Sequence, residues 1–307
     1  MKSQKENNPI LCDETTGMCE MPFGYESEEQ EQILTDEKPI KIIYYTDPIC
    51  SSCWGIDPQL RKLKLEYGHL FDIYYRMGGL LADWSCNGGG ISKPQDVAEH
   101  WDEVSLYYDM PIDGDLWLED PMSSSYPPSI AFKAAQIQGV EKAIIFLRQM
   151  RELLFLSKKN MTKWENILLA TKNTGLDNLR LRKDYEEQAV AHFNEDLLLA
   201  KKMGVKGFPT FFFGNKQGDS KFIYGARPYD IFESYVLKLY PKAKKKSYDS
   251  SAEFLFKKFK TLTLREFSEL SSLDRQKSKK LLEQLYQSKW LDRLNTKNGN
   301  IFFKRNM

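Results

Sequence analysis

Residues 44–54 of the chain read YYTDPICSSCW, and this stretch decides the fold. The β-branched and aromatic run that enters it, Ile42 to Tyr45, predicts a strand. Apolar residues at helical spacing leave it, between Leu60 and Tyr67, and predict a helix. Cys50 and Cys53 therefore lie where a helix begins. Unpaired N–H groups and the helix dipole stabilise a thiolate on the first cysteine there, and the two-residue gap lets the second attack a mixed disulfide.

A Cys-x-x-Cys beside a strand–helix–strand pattern is typical of a thioredoxin-like redox motif. The alternative is half of a zinc site. No second Cys-x-x-Cys follows in the sequence, which argues against a four-cysteine zinc ribbon. Further along, residues 204–210 read GVKGFPT and run into Phe211, Phe212 and Phe213. A proline directly before an apolar strand needs a structural reason, because it donates no hydrogen bond to a ladder.

Length and composition set wide limits. The 307 residues suffice for one large or two ordinary domains, and 41% hydrophobic residues suit a packed core. The net charge of +1 excludes a bulk attraction to nucleic acid or membranes. The charge is uneven, with an acidic N-terminal part and a basic C-terminal part. These ends are read as interaction surfaces, as mutually attracting segments or as solvated faces.

The sequence predicts a cytoplasmic protein with no membrane partner. No apolar run approaches the roughly 20 residues that span a bilayer. The first eight residues are polar and no apolar segment follows them, so no secretory signal is expected. In the cytoplasm thiols are mostly reduced, and the five cysteines are therefore not read as a disulfide framework.

Residues 1–38 show no hydrophobic periodicity and are predicted to form a flexible acidic arm. The arm contains Cys12 and Cys19. They are read either as half of a metal or redox clip or as two exposed thiols. The arm has no histidine, which favours the exposed thiols. We therefore expect no metal and no cofactor.

The organisation predicted for the rest is a split domain followed by a small module. Residues 39–80 and 204–240 supply the two halves of a thioredoxin-like α/β domain, residues 81–203 form an inserted helical domain, and residues 241–252 form a basic linker. The helices of the insertion are predicted at 94–109, 127–138, 141–157, 162–173, 177–189 and 193–203.

Residues 253–307 are predicted to form a winged-helix-like module. Thr263 and Glu266 make a capping box, helices follow at 263–270 and 274–290, and Asn298-Gly299 marks a hairpin turn. The second helix is basic, so it is suited to DNA phosphates, to an acidic protein surface or to solvent. Its basic residues are Arg275, Lys277, Lys279 and Lys280.

These features together resemble the DsbA-like thioredoxin superfamily over about residues 40–240. More narrowly, residues 47–60, DPICSSCWGIDPQL, look like the SpxH or YjbH family, and the acidic arm and basic module fit that family too. The resemblance implies an adaptor that binds the transcription regulator Spx and promotes its degradation by the ClpXP protease. It also implies that Pro209 lies in a cis-proline loop facing the cysteines. Phe208 and Trp54 would then help to line a substrate groove.

Two further functions stay open beside the adaptor. The first is a cytoplasmic thiol–disulfide oxidoreductase, with Cys50 as nucleophile and Cys53 as resolving thiol. The dipeptide Ser51-Ser52 lacks the proline or histidine of strongly oxidising relatives, so Cys50 is expected to be only modestly acidic. The second is a DNA-binding regulator acting through residues 250–307, but nucleic acid is not favoured as a partner. For the adaptor, the aromatic contact candidates are Tyr44, Tyr45, Trp54 and Phe208, with core packing of most of them as the alternative, and the inserted helical block is the other candidate surface.

Overall fold

The computed structural model describes residues 11–13, 18–20, 38–85 and 93–305. A mixed six-stranded sheet organises the first part, in the order β1-β2-β6-β5-β3-β4. In the described ranges no helix has the length and apolar character needed to cross a bilayer. The strands are β1 (Leu11–Asp13), β2 (Met18–Glu20), β3 (Ile40–Thr46), β4 (Phe71–Met77), β5 (Thr210–Asn215) and β6 (Ser220–Tyr224).

The cysteine stretch joins the two parallel strands β3 and β4. Two helices fill the crossover, α1 (Ser51–Gly55) and α2 (Asp57–Tyr67). The sequence predicts one helix over 53–67, and the structure differs because the helix is interrupted at Ile56. Pro58 accounts for the interruption, since proline has no N–H to continue the helical hydrogen bonds.

Seven helices lie between β4 and β5 in the part of this segment that the structure describes. Their predicted positions agree with the structure to within a few residues, except that the short helix α4 was not predicted. The helices are α3 (Pro94–Tyr108), α4 (Leu116–Glu119), α5 (Tyr126–Ile137), α6 (Val140–Ser157), α7 (Trp164–Ala170), α8 (Asn178–Glu187) and α9 (Ala189–Lys202). The domain limits stay predictions.

Strand β5 returns antiparallel to β3 and pairs with β6, and α10 (Tyr229–Leu239) then packs near α2. The ring of Tyr44 stacks on that of Phe211 with centroids 4.3 Å apart. Tyr44 and Tyr45 are both completely buried. The sequence-based suggestion that these two tyrosines contact a partner is therefore wrong. Their alternating positions on a strand that is buried on both faces place both rings in the core.

The N-terminal arm also differs from its prediction. Instead of lacking structure throughout 1–38, it contributes β1 and β2, which form an antiparallel hairpin whose second strand pairs with β6. Strands of three residues are too short to show a period-2 pattern, so they could not be predicted from the sequence. The register places Cys12 directly opposite Cys19.

The C-terminal residues form a second, smaller body with its own apolar core, which includes Leu255, Phe267, Leu282 and Phe302. A three-stranded sheet in the order β7-β9-β8 closes it. Its elements are α11 (Ala252–Lys258), β7 (Thr261–Thr263), α12 (Leu264–Ser271), α13 (Arg275–Gln287), β8 (Leu291–Thr296) and β9 (Gly299–Lys304). The sequence missed α11 and β7, and the winged-helix interpretation stays a prediction.

Candidate functional site

The dithiol lies at the start of α1, directly after strand β3. Cys50 is the N-cap residue of α1, and its Sγ accepts a hydrogen bond from the backbone N–H of Cys53 at 3.2 Å. The turn that precedes it is held by Asp47, whose backbone carbonyl accepts from the N–H of Cys50 at 3.2 Å. Both cysteines are free. Together these bonds hold the reduced pair at the helix terminus that the sequence predicts.

Both sulfur-bearing residues are covered by protein. Cys50 is 4% exposed and Cys53 is 0% exposed. Tyr108 of α3 lies across the motif, and its hydroxyl donates to the Ser52 hydroxyl at 3.3 Å. Gly55 lies beneath the ring, because a Cβ at that position would be 2.4 Å from a ring carbon of Tyr108. The absence of a side chain at residue 55 therefore lets α3 approach and close over the dithiol.

A buried arginine lies on the inner side of the pair. Arg151 of α6 donates to the Thr46 hydroxyl at 2.6 Å and to the Asp47 carbonyl at 3.1 Å. It is 2% exposed, and a carboxylate oxygen of Asp57 lies 3.6 Å from its guanidinium. Arg151 was not among the site residues predicted from the sequence, since an arginine within an apolar helix belongs to no motif.

The surroundings reverse the acidity that the sequence analysis expects of the two thiols. Burial raises the pKa of Cys50 well above its ordinary value, and the hydrogen bond shared with Cys53 raises it further. Burial also acts to raise the pKa of Cys53, but the Cys50 thiol and the positive charge of Arg151 lower it overall. The five-residue α1 is too short for its dipole to outweigh burial at Cys50. Cys50, the slightly more exposed of the two residues, is therefore the one that keeps its proton.

Asp47 is a second buried ionisable group beside the dithiol. Its carboxylate accepts hydrogen bonds from the N–H of Leu80 at 2.8 Å, the N–H of Ile49 at 3.0 Å and the hydroxyl of Ser125 at 2.9 Å. Burial raises the pKa of Asp47 to about 6, although these donors oppose the rise. The carboxyl group thus joins the cysteine turn to the loop after β4 and to the start of α5.

The proline strand approaches the same end of the sheet. The Phe208–Pro209 peptide bond is cis, as the resemblance implies. Since Tyr45 is opposite Thr210 in the β3–β5 pair, Pro209 lies level with Thr46, close before the cysteine turn. Pro209 is buried and Phe208 is half-buried. The ring of Phe208 lies against Gly78, where a Cβ would come within 1.9 Å of it.

Trp54 does not line a groove, and that sequence-based expectation is wrong. The side chain is 0% exposed, its ring stacks on Phe155 with centroids 5.6 Å apart, and its Nε1–H donates to the Pro111 carbonyl at 3.1 Å. The guanidinium of Arg148 covers the ring, 4.2 Å from a ring centroid. The helical periodicity of α1 turns this residue toward the inserted helices, away from the cysteine surface.

An ion-pair network joins this core to the C-terminal body. Arg148 of α6 donates to both carboxylate oxygens of Glu266, at 2.7 and 3.1 Å, and its Nε–H donates to Glu152 at 2.6 Å. Arg61 of α2 reaches the same carboxylate at 3.2 Å. Glu266 also closes the capping box of α12 with Thr263, as the sequence predicts. Only that capping role was visible in the sequence.

The basic residues of the C-terminal body are partly used inside the molecule. Arg275 donates to both carboxylate oxygens of Asp109, at 2.6 and 2.7 Å. Lys297, at the tip of the β8–β9 hairpin, donates to Asp102 at 2.5 Å and to Asp115 at 2.6 Å. These cations join the C-terminal body to α3 and to the segment that leads into α4.

The fold and the dithiol define a DsbA-like protein of the thioredoxin fold. A family model described as thioredoxin matches residues 44–234. The chain is 33% identical to the ClpXP adapter protein SpxH of Halalkalibacterium halodurans, over 96% of this chain and 97% of that one. It is 32% identical to the protein of the same name from Bacillus subtilis, over 87% and 90% of the two chains. The chain belongs to the SpxH family.

Solved structures share the fold of the thioredoxin-like part. A putative protein disulfide isomerase from Nitrosomonas europaea has a TM-score of 0.55 and 19% identity, covering 66% of this chain and 96% of its own. The cytosolic disulfide reductase DsbM from Pseudomonas aeruginosa has a TM-score of 0.52 and 21% identity, covering 65% and 99%. The predicted thioredoxin-like, DsbA-type fold is thereby confirmed. At these identities the likeness extends to the fold alone.

Proposed function

We propose that the protein is a cytoplasmic adapter that binds the transcription regulator Spx and promotes its degradation by the ClpXP protease. The observation that carries the proposal is the likeness to the ClpXP adapter protein SpxH of Halalkalibacterium halodurans along 96% of this chain. That likeness takes in the N-terminal arm and the C-terminal body as well as the thioredoxin-like part. The free thiols of Cys50 and Cys53 suit a reducing compartment.

The covered dithiol supports a binding function over thiol chemistry. A thiolate is the nucleophile in disulfide exchange, and it must reach its target. Here burial keeps the proton on Cys50, while Cys53, whose pKa is lowered, has no exposed surface. Neither cysteine is therefore both ionised and accessible to a disulfide substrate.

The adapter would act by holding its client in a fixed orientation. Stable protein interfaces bury about 1,200–2,000 Å² and depend on a few buried anchors. The Arg148–Glu266 ion pair and the Arg275–Asp109 pair fix the two bodies to each other. A client that docks on this platform would be ordered, with its C-terminal tail left free for the unfoldase.

Reconstituted degradation tests the proposal. Spx turnover by purified ClpXP is followed with and without this protein, and with an unrelated ClpXP substrate as the control for general activation. We expect faster turnover of Spx alone. Equal rates of Spx turnover with and without the protein would overturn the adapter function.

A thiol–disulfide oxidoreductase is the second candidate, and the position of the free dithiol supports it although its burial does not. Cys50 caps α1 and lies at the end of the sheet where the cis-proline strand begins. Insulin reduction or glutathione exchange is the assay, with Cys50→Ser as the variant. If Cys50→Ser leaves the rate unchanged, the second candidate fails.

The C-terminal body is proposed to be a winged-helix-like module that serves docking and not DNA binding. The pairing of Arg275 with Asp109 and of Lys297 with Asp102 supports this, because both cations are neutralised within the chain. A gel shift at about 0.15 M salt measures the alternative, and retention of a specific shift at that salt would contradict the docking role.

A further inference from the structure

Two adjoining cavities form a groove beside α2 and α6. The first, of about 660 Å³, lies between β4, α5 and α6. The second, of about 260 Å³, lies between α2, α6 and the segment that leads into α12. Lys64, Tyr75 and Ile144 line both cavities. We call this continuous depression the α2–α6 groove. Neither cysteine lines either cavity, although Arg151, which lies beside the dithiol, lines the second one.

One wall of the groove is an open strand edge. Strand β4 pairs only with β3 among the described strands. In a parallel pair alternate residues bond to the neighbour, and the N–H of Gly78 donates to Thr46 at 2.8 Å, so even-numbered residues of β4 face β3. Odd-numbered residues therefore direct their backbone groups into the groove.

Several of those outward backbone groups have no partner. The carbonyl of Phe71 accepts from Lys38 Nζ at 3.1 Å, the carbonyl of Tyr75 accepts from Gln136 at 3.3 Å, and the N–H of Met77 donates to Asp196 at 2.9 Å. Within the described residues, the N–H and carbonyl of Ile73 and the N–H of Tyr75 are left unbonded by protein groups. An extended segment laid beside β4 would pair with these open donors and acceptors around Ile73.

The charge of the groove is positive. Three exposed lysines, Lys64, Lys258 and Lys260, line it and form no ion pair with a described carboxylate. Lys64 Nζ donates to the hydroxyl of Tyr75 at 3.1 Å, and Lys260 Nζ donates to the Asn173 carbonyl at 2.8 Å. The arginines deeper in the groove are balanced by carboxylates. The exposed carboxylate of Glu141 on α6 offsets one of the three lysines, and the other two leave the groove with an excess of positive charge.

Apolar side chains line the opposite wall. Val140 is 50% exposed and Ile145 is 38% exposed, both on α6, and Ile144 lies between the two cavities. A strand carries side chains on alternate faces, so a segment on β4 would direct one set toward α6 and the other toward solvent and the lysines. The walls together fit an occupant with alternating apolar and acidic residues.

We propose that the α2–α6 groove binds an extended segment of a partner protein in which acidic and apolar residues alternate, adding it as a strand beside β4. The proposal rests on the adapter function, since it names the kind of client or protease segment that the adapter would hold. It is tested by binding to the isolated protein, so it can fail while the degradation assay succeeds.

The test measures binding by fluorescence anisotropy at low and high salt. The probe is a labelled peptide of about eight alternating Glu and Val residues, and the comparison peptide alternates Lys and Val. The charge-reversed variant is Lys64→Glu, Lys258→Glu, Lys260→Glu. The control, Lys216→Glu, Lys242→Glu, Lys244→Glu, carries the same change in charge on exposed lysines elsewhere.

We expect the Glu-Val peptide to bind, the Lys-Val peptide not to bind, and the groove variant to lose about tenfold in affinity or more while the control variant changes less than about twofold. An equal loss in both variants, or no binding of the Glu-Val peptide, would overturn the proposal. Tighter binding of a single-stranded oligonucleotide to the groove at the same salt would overturn it too, by assigning the lysines to phosphates.

Two N-methylated peptides test the strand pairing itself. One carries methyl groups on the odd-numbered amides and the other on the even-numbered amides, so each blocks the donors of one edge only. We expect one of the two to lose binding and the other to keep it, because only one edge of the added strand faces β4. If both bind as well as the parent peptide, strand addition is excluded.

Discussion

Arg148 donates two hydrogen bonds to the carboxylate of Glu266, a residue 118 positions further along the chain. The same guanidinium covers the indole of Trp54, which follows Cys53 directly. Glu266 is completely buried, and the charge of Arg148 and Arg61 lowers the pKa of its carboxyl group. The helix that begins at the dithiol is therefore in contact, through a single arginine, with the first turn of a helix in the C-terminal body.

Glu266→Gln is expected to lower the free energy of unfolding by about 3–5 kcal/mol, because it leaves the charge of Arg148 buried without its strongest partner. Urea unfolding followed by circular dichroism measures the change. Glu253→Gln, at an exposed position early in α11, is the matched control and should stay within about 0.5 kcal/mol of the unchanged protein. A loss below about 1 kcal/mol for Glu266→Gln would show that the pair adds nothing to stability.

Asp47 should give the protein a distinctive pH dependence. Its pKa rises from 3.8 to about 6 on folding, so between these values the folded state binds more protons than the unfolded state. The contribution of Asp47 to stability is therefore present at acid pH and is lost as the pH rises through about 6. Relative to Asp47→Asn, the free energy of unfolding should fall by about 2–3 kcal/mol between about pH 4 and pH 7.

Chemical denaturation at several pH values measures that difference. Asp249→Asn, at an exposed position, serves as the control. Its free energy of unfolding should change with pH in the same way as that of the unchanged protein. A difference between native protein and Asp47→Asn that is flat across the range, or that grows with pH, would contradict the raised pKa.

Removing the Tyr108 ring should open the dithiol. Tyr108→Ala takes away the group that covers Ser52 and Gly55, so alkylation of Cys50 by iodoacetamide should become about tenfold faster, as for a 1.4 kcal/mol change in an opening equilibrium. Leu106→Ala, on the same helix but 77% exposed, is the control and should leave the rate unchanged. Equal alkylation rates in both variants would mean that Tyr108 does not limit access.

The dithiol should be largely dispensable for the proposed adapter activity. In the variant Cys50→Ser, Cys53→Ser the redox chemistry is lost, but serine is a good N-cap residue and preserves the start of α1. A buried hydroxyl at residue 53 without a partner costs roughly 1–3 kcal/mol, so some stability is lost. Spx turnover should be reduced only in part. Complete loss of turnover by a variant with unchanged circular dichroism would make the dithiol part of the mechanism.

Most of the fold could be predicted from local sequence patterns. The run Ile42 to Tyr45, the Cys-x-x-Cys and the Pro209 strand each have a short-range signal, and the structure places each as expected. The capping box at Thr263 and Glu266 was equally visible. Periodicity therefore sufficed wherever an element is stabilised by its own sequence neighbours.

Features of the site that depend on packing between distant parts of the chain could not be predicted from the sequence. Burial in the assembled protein and the neighbouring Cys53 thiol raise the pKa of Cys50, and the charge of Arg151, a residue far along the chain that belongs to no motif, opposes the rise. The sequence suggests that Trp54 is a surface aromatic residue beside a redox pair. In the structure Arg148 and Phe155 cover it. The loss of water around the thiols results from packing of the whole core, so it cannot be predicted from the strand–turn–helix stretch that carries the cysteines.

The two edges of the large sheet are unequal, since β1 has three residues and β4 has seven. Short edge strands resist further pairing, whereas a long open edge invites it. A homodimer built by continuing the sheet would therefore join β4 to β4 across a two-fold axis, with the same face of both copies used. Such a dimer would fill the α2–α6 groove with its own second copy. Self-association and capture of an extended partner segment would then compete for the same edge, and the concentration of the protein would set the balance between them.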